Sequence, residues 1–473
     1  MKSLPAIALM LLLPGAPALA ANPDAVWLIG GGPDVYESQV QIEGNVLWVL
    51  RAIETLPGER KVRVFFTDGS EATPDVHEWA PPPETAAALQ PLARVFDAYW
   101  RNGLRYRNHA IPGVAGTTEA GPLADALGKD LRALKPGDRG WLIFTGHGTQ
   151  GEGCDNRLEL WNGTHLDVGD LQALLDQAPP EARVRFLFAQ CYAGAFARLA
   201  TPGSDRCGFL AAPPDQVSEG CSAAVEKSDY EDYSTFFFAA LTGRPRNHSG
   251  LNGTPDWDSD GHVTPLEAHF HVLTTAFSAD VPRSTSEALL LEWRPGDLVD
   301  IPAGMRGDEN EYRAMALAMM RSIGIDPDKE PGKEIQRRQL GLQDQWERLV
   351  QDRERLRKQI AASQGDLQRQ VRRRWPRVAA PYTLAFKQFL AEDLGAAQTF
   401  IEAHPEYPEL RRRQELFLDE EDQALRLRRE RNQLYKINHV ARLGRLKAAL
   451  ELEGPADLQE RYLRLRKCES APF

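Results

Sequence analysis

Short, continuously apolar runs recur along the first half of the chain, and each is followed by a segment in which apolar residues have helical spacing. The runs lie at 25–30, 61–66, 140–145, 184–189 and 207–212. Continuous rather than alternating hydrophobicity is typical of parallel strands that are covered on both faces. The alternation of strand and helix therefore predicts an α/β domain with a mostly parallel sheet flanked by helices.

The hydrophobic pattern changes beyond about residue 280. Residues 281–332 are interpreted as a linker that carries one short helix. Residues 333–473 are rich in Arg, Glu, Gln and Leu, and an apolar seam with alternating steps of four and three runs from Leu342 to Ile360, interrupted by Arg353. This spacing predicts a C-terminal all-α domain, built as a helical hairpin or bundle with coiled-coil packing.

Residues 1–20 have the three features of a cleaved signal peptide. Lys2 supplies a positive charge, residues 7–13 form an apolar core, and residues 18–20 (Ala-Leu-Ala) match a cleavage site. The apolar core is shorter than the roughly 20 residues that span a bilayer, so no transmembrane segment is predicted in the mature chain. We therefore expect an exported protein, periplasmic or secreted, whose α/β domain covers residues 21–280.

Two motifs at the ends of apolar runs suggest chemistry. The stretch WLIFTGHGTQGEG (141–153) places His147 between two glycines, and VRFLFAQCYAGAFA (184–197) ends its apolar run just before Cys191. Ligand sites of open α/β sheets form beyond the carboxyl ends of the strands. A cysteine needs a base to become a nucleophile, and a histidine suits that task. The two motifs predict a Cys191–His147 pair, with the Gly148 and Cys191 amides as oxyanion donors.

The competing interpretation is structural, because unpaired cysteines are usually inert core residues. Cys191 would then be a buried thiol at a strand end, and His147 a loop residue. Two glycine- or alanine-rich strand ends, one with a nucleophile and one with a base, favour catalysis. With Cys191 assigned to that role, Cys154, Cys207, Cys221 and Cys468 remain, and they allow three disulfide pairings that the sequence does not distinguish.

The segments FTGHGTQG and LFAQCYAG resemble the His-Gly and cysteine motifs of the legumain–caspase–gingipain group of cysteine peptidases. Residues 156–175 and 211–243 are similar to the segments that these enzymes place between the motifs and beside the S1 pocket. The similarity covers residues 24 to about 280. It implies a bacterial-type exported member of the group, with a caspase-like fold, Cys191 as nucleophile, His147 as general acid/base, and Gly148 with the Cys191 amide as oxyanion donors.

The resemblance does not extend to specificity, because the arginine and acidic residues with which legumain selects asparagine have no clear counterpart. Three carboxylates of the predicted pocket segment, Asp215, Glu219 and Asp229, either favour a basic P1 residue or lie on the surface.

The stretch DWDSDGHVTPLE (256–267) matches the twelve-residue calcium loop D-x-D-x-D-G-x5-E at every position. Calcium is a hard cation that takes oxygen ligands. The predicted ligands are Asp256, Asp258, Asp260, His262 through its carbonyl, Thr264 directly or through water, and Glu267 as a bidentate carboxylate. The preceding segment is not helical, so a structural calcium site is expected rather than a full EF-hand. An acidic turn that caps a helix is the alternative.

The net charge of −11 argues against nucleic acid as the main partner. The sequence as a whole predicts a calcium-stabilised, exported cysteine endopeptidase that acts on protein or peptide substrates through a thioester. One alternative is a catalytically silent scaffold that binds a protein partner, or a second copy of itself, through its C-terminal helices. The second alternative is a peptide ligase or transpeptidase that uses the same dyad.

Overall fold

The computed structural model describes residues 24–79, 85–96, 104–221, 231–246, 251–293, 295, 310–379 and 383–473. The predicted signal peptide lies outside these residues. The strands are β1 (Asp24–Gly31), β2 (Arg60–Phe66), β3 (Val76–Trp79), β4 (Leu104–Arg107), β5 (Val114–Gly116), β6 (Arg139–Gly146), β7 (Gly148–Thr149), β8 (Arg157–Leu160), β9 (Thr164–Asp167), β10 (Arg183–Phe188), β11 (Arg206–Leu210) and β12 (Arg283–Ser284).

The α-helices are α1 (Val40–Thr55), α2 (Thr85–Phe96), α3 (Ala120–Ala133), α4 (Val168–Leu175), α5 (Tyr233–Thr242), α6 (Pro265–Thr275), α7 (Thr285–Glu292), α8 (Glu311–Ser322), α9 (Pro331–Arg374), α10 (Leu384–Glu392), α11 (Leu394–Glu402), α12 (Tyr407–Glu453) and α13 (Ala456–Glu469). None of the helices in the described part of the chain is both long and apolar enough to cross a bilayer.

The predicted fold class is confirmed. Seven strands form one sheet in the order β12-β11-β10-β6-β1-β2-β5, and all pairings except that of β12 with β11 are parallel. The five apolar runs of the sequence are the central strands β1, β2, β6, β10 and β11. Their side chains alternate between two hydrophobic cores, one under α1, α5 and α6 and the other under α3 and α4. Burial on both faces explains why these strands are continuously apolar.

The two longest helices, α9 and α12, form an antiparallel pair that we call the helical arm. Leu349 and Leu356 of the predicted seam are buried in α9, and Leu349 packs with Ala424 and Leu427 of α12. The far end of the arm forms its own core with α10, α11 and α2, a helix inserted between β3 and β4. The predicted helical hairpin is therefore present, and its tip is attached to the sheet domain by α2.

The predicted boundary between residues 332 and 333 is crossed by the main hydrophobic core. Leu434, Val440 and Leu450 of α12 pack in the same core as β1, α1 and α5. The C-terminal Phe473 stacks on Trp141 of β6 with ring centroids 4.4 Å apart. The second half of α12, together with α13 and the C-terminus, therefore completes the α/β domain.

Described residues of the predicted linker, 281–332, belong to the core as well. β12 extends the sheet, and α7 and α8 bury Leu290, Tyr312 and Met315. The linker prediction failed because α7 and α8 are short, and their burial depends on packing against elements that are distant in the sequence.

A disulfide between Cys207 of β11 and Cys468 of α13 joins the sheet to the C-terminal helix across 261 residues.

Candidate active site

His147 and Cys191 lie just past the carboxyl ends of two neighbouring parallel strands. The register pairs Phe144 of β6 with Phe188 of β10. His147 follows Phe144 by three positions, and Cys191 follows Phe188 by three positions. The amide of Ala189 donates to the carbonyl of Phe144 at 3.0 Å, which extends the pairing by one residue. Because paired strands are about 4.8 Å apart, the two residues occupy equivalent positions at one edge of the sheet.

The alternation of side chains along β6 indicates which face of the sheet His147 occupies. Ile143 and Leu187 belong to the core that contains α1, whereas Phe144 and Phe188 belong to the opposite core. Residues separated by an even number point to the same face of a strand. His147 therefore continues the series of Ile143 on the face covered by α1, where its ring contacts Glu37 and Gln39. Cys191 follows β10 on a turn, so strand alternation does not assign its side chain to a face.

Gly148 brings the two motifs into backbone contact. A Cβ at this position would lie 2.5 Å from the carbonyl oxygen of Cys191 and 2.5 Å from Cγ of Gln190. The amide of Glu159 donates to the carbonyl of His147, so Gly148 and its partner in β8 form a non-hydrogen-bonded pair. In such a pair the N–H groups point away from the neighbouring strand. The Gly148 N–H is therefore directed away from β8, as an oxyanion donor requires.

Replacing Gly148 with alanine is expected to separate the two motifs, because the new methyl group has no space beside the Cys191 carbonyl. A misplacement of about 1 Å lowers the rate of a positioned reaction by about 10²-fold. We expect that loss in the rate at which an electrophilic peptide probe labels reduced Cys191. The matched control is Gly121→Ala in α3, where a Cβ meets nothing within 4 Å. Equal labelling rates in the two variants would contradict the contact.

The His147 ring is oriented by two oxygens from the chain that enters α1. Its Nε2 lies 2.9 Å from the carbonyl oxygen of Glu37 and 2.9 Å from Oε1 of Gln39. Both are acceptors, so Nε2 carries the proton and Nδ1 keeps its lone pair. Burial lowers the pKa of His147. Gln39 is the N-cap residue of α1, and the positive end of the helix dipole also disfavours the imidazolium. This arrangement presents a neutral base.

Cys191 lies on a tight turn between β10 and a 3-10 helix of seven residues, Ala193–Leu199. The next residue, Tyr192, has φ 59° and ψ 19°. This left-handed conformation costs a residue other than glycine roughly 1–2 kcal/mol. The side-chain amide of Asn156 donates to the carbonyls of Tyr192 and Pro214 at 2.9 and 2.8 Å, and thereby holds the turn. A strained strand-to-helix turn is a recurrent way to present a nucleophile.

The sulfur of Cys191 is itself part of a disulfide, so the prediction that this cysteine stays outside the disulfides is wrong in this structure. The side chain of its partner lies outside the described part of the chain. Cys191 is 3% exposed, and the amide of Ser218 lies 3.3 Å from its Sγ. The disulfide sulfur of Cys191 occupies the position of the thiolate that the proposed reaction needs. A nucleophile therefore requires reduction of the bond.

Three residues around the pair were not predicted. Gln39 binds His147, Ser218 approaches Cys191, and Asp232 accepts a hydrogen bond from Thr145 Oγ1 at 2.7 Å. Asp232 also caps α5 through the amide of Thr235. Only Asp232 had a usable signal, because an Asp just before a largely apolar run, here Tyr-Ser-Thr-Phe-Phe-Phe, is typical of a helix start. Gln39 and Ser218 are ordinary polar residues whose roles depend on the tertiary contact.

The carboxylates that were considered for a basic P1 pocket have different environments. Glu219 is 3% exposed and pairs with Arg429 of α12, with Nε and Oε1 2.8 Å apart. Its charge is therefore compensated within the protein. Asp215 is exposed, which matches the surface interpretation. Asp229 lies outside the described residues.

The predicted calcium loop holds its acidic side chains close together. Ligand oxygens of Asp256, Asp258 and Asp260 lie within 4.8 Å of one another. Gly261 has φ 87°, the left-handed conformation expected at the sixth position of such a loop. The Glu267 carboxylate accepts hydrogen bonds from three amides of the loop, those of Trp257, Asp258 and Thr264.

The remaining predicted ligands are placed by the start of α6. Thr264 is the N-cap residue, and its hydroxyl forms a reciprocal capping box with Glu267. The amide of His262 donates to Asp260 Oδ1 at 2.8 Å. The loop therefore combines the features of both interpretations, because the acidic turn caps α6 and also gathers the three aspartates that a cation would bind.

A second group of potential metal ligands, which was not predicted, lies after β2. Asp68, Asp75 and His109 have ligand atoms within 4.8 Å of one another. Asp75 is buried and accepts hydrogen bonds from the His109 amide and ring Nδ1, each at 2.7 Å, and from the hydroxyl of Thr67. These contacts raise the pKa of His109. The hydrogen bonds to Asp75 account for this group as a structural junction between β2 and the segment before β5.

The comparisons with known proteins give little additional information. No family model and no curated protein matches the chain. Among solved structures, protein GSU0716 from Geobacter sulfurreducens matches with a TM-score of 0.28 and 15% identity, over 46% of this chain and 80% of that one. A likeness this weak carries no argument, so the function must be argued from the site.

Proposed function

We propose that this chain is a cysteine endopeptidase that acts after reduction of the disulfide at Cys191. The observation that carries the proposal is that the register of β6 and β10 places His147 and Cys191 at one edge of the sheet, where Gly148 packs against the backbone of Cys191. Three local features support it: the lone pair on His147 Nδ1, the N–H of Gly148, and the strained turn at Tyr192.

The reaction begins when a dithiol cleaves the disulfide, which takes up two electrons and leaves two thiols while the dithiol becomes a disulfide. His147 accepts the proton of the Cys191 thiol, and Sγ attacks the carbonyl carbon of the substrate. Negative charge develops on the carbonyl oxygen, where the N–H groups of Gly148 and Cys191 stabilise it. His147 then protonates the leaving amine, and water hydrolyses the thioester and releases the acid.

The test is covalent labelling with peptidyl acyloxymethyl ketones that differ at P1. The protein is treated with a dithiol or left oxidised, in calcium or in chelator, beside Cys191→Ala. We expect labelling only after reduction, a dependence on P1, and none in the variant. A serine hydrolase probe that labels neither form serves as the reagent control.

A catalytically silent scaffold is the second candidate, and one observation favours it: Cys191 is buried and disulfide-bonded. If no probe labels the reduced protein while mass spectrometry confirms a free Cys191 thiol, the peptidase proposal fails and the scaffold replaces it. A transpeptidase forms the same thioester, but an amine attacks it instead of water. It would therefore be recognised by new peptide bonds when an amine is added together with a labelled substrate.

We also propose export to an oxidising compartment, the periplasm or the exterior. The Cys207–Cys468 disulfide supports this location, since structural disulfides persist in oxidising surroundings. Protein or peptide substrates are the proposed partners, with the helical arm as the surface for a protein partner or a second copy.

We further propose that residues 256–267 bind a structural calcium ion. A ligand that binds only the folded state at 100 times its Kd stabilises it by about 2.7 kcal/mol. Calcium is therefore expected to raise the melting temperature of the wild type and not that of Asp258→Asn, which removes one carboxylate from the cluster. Thermal unfolding in calcium, in magnesium and in chelator measures this. Equal shifts in wild type and variant would leave only the helix-capping role.

A further inference from the structure

The segment that touches the Cys191 sulfur is held by the helical arm. Ser218, whose amide lies 3.3 Å from Cys191 Sγ, is flanked by Val217 and Glu219. Arg428 of α12 donates to the carbonyl of Val217 at 3.3 Å, and Arg429 binds the Glu219 carboxylate through Nε at 2.8 Å. Two successive residues of the arm therefore hold the two neighbours of Ser218.

The Glu219 contact is buried and charged, so it is strongly constrained. Its carboxylate also accepts from the amide of Ala279, and its own amide donates to Asp280 Oδ1 at 2.6 Å. Asn432 and Lys436 of α12 bind the carbonyls of Ala279 and Ala276. The segments 217–219 and 276–280 are thus attached to the same stretch of α12. The neighbouring titratable groups are Asp280, whose pKa burial raises to about 7, and Lys436, whose pKa burial lowers to about 8.

We propose that Arg429 is a positioning residue which, through Glu219, holds the Ser218 amide against the Cys191 sulfur and thereby lowers the pKa of the reduced thiol. A hydrogen-bond donor stabilises a thiolate more than a thiol. If Arg429 is removed, the buried Glu219 carboxylate loses the guanidinium that pairs with it, while Lys436 remains nearby. The weaker compensation of this buried charge favours its hydration. The segment 217–219 then opens and carries the Ser218 donor away from the sulfur. The inference rests on the proposed function, although the contact between the Ser218 amide and the Cys191 sulfur does not depend on turnover.

The test is the pH dependence of alkylation by iodoacetamide after reduction, followed by mass spectrometry on the peptide that contains Cys191. For Arg429→Met we expect the midpoint to rise by about one pH unit, so that the rate at pH 6.5 falls about tenfold while the rate at high pH is unchanged. Arg429→Lys keeps the positive charge, and the midpoint of its pH profile is expected to lie between those of the wild type and Arg429→Met. Glu219→Gln combined with Arg429→Met also removes the buried carboxylate that the guanidinium compensated, and is expected to return the profile to within about twofold of wild type.

The matched control is Arg431→Met, because Arg431 of the same helix packs over the ring of Trp346 inside the arm. Superimposable profiles for Arg429→Met and wild type, or equal shifts in Arg429→Met and Arg431→Met, would overturn the proposal. Should Arg429→Met fail to fold, Arg429→Lys carries the test, and an unshifted profile overturns the proposal in the same way. The assay needs no peptidase turnover, so its failure is distinguishable from failure of the proposed function.

Discussion

Replacing His147 with glutamine is expected to lower kcat/KM of the proposed peptidase activity of the reduced protein by about 10²–10⁴-fold. A positioned general base contributes a factor of this size, and glutamine can hydrogen-bond but cannot accept the thiol proton at neutral pH. The Nε2 contacts to Glu37 and Gln39 leave Nδ1 as the basic nitrogen. The measurement is hydrolysis of the best P1 substrate identified by labelling. The matched control is His165→Gln, since His165 is exposed on β9.

For the reduced wild-type protein, kcat/KM of the proposed peptidase activity is expected to fall in acid only below pH 6.5. Burial lowers the pKa of His147, so the neutral base persists to lower pH than in a model peptide. Activity is therefore retained as pH falls through 6.5 and is lost only at the lower pKa. If His147→Gln has the kcat/KM of the wild type while Cys191→Ala is inactive, the base is a residue other than His147.

The sheet and the meeting of the two motifs were predictable because their physical cause is local. Strands buried on both faces must be continuously apolar, and strand periodicity then places residues with equal offsets at one edge. Ile143 and Leu187 already carry this information in the sequence. The close approach of Asp256, Asp258 and Asp260 was predictable for the same reason, since they lie within one short loop.

What the sequence did not reveal depends on contacts between distant residues. The helical spacing of α12 is alike in the free arm and in the part that enters the main core, so Leu434 and Val440 gave no sign of the crossing. Glu219 and its partner Arg429 are 210 residues apart. The disulfide at Cys191 was missed because a catalytic role and a paired state are compatible with the same motif, and only the fold distinguishes them.

Removing the disulfide between Cys207 and Cys468 is expected to cost about 5 kcal/mol of unfolding free energy. The bond closes a loop across 261 residues, and the loop-entropy relation gives the unfolded chain a correspondingly large gain in freedom when the bond is absent. Loss of the bond also loosens α13. The last residue of this helix, Glu469, is buried next to Cys468 and accepts hydrogen bonds from Ser286 and Thr285.

The measurement is urea unfolding without reductant, followed by far-ultraviolet circular dichroism, for Cys207→Ser, Cys468→Ser and the double variant. Because either substitution opens the same loop, the double variant should be about as stable as each single one. Treatment of the wild type with a dithiol is not equivalent, since it also opens the bond at Cys191. A double variant within about 1 kcal/mol of the wild type would show that packing of Phe473 and α13 holds the C-terminus without the bond.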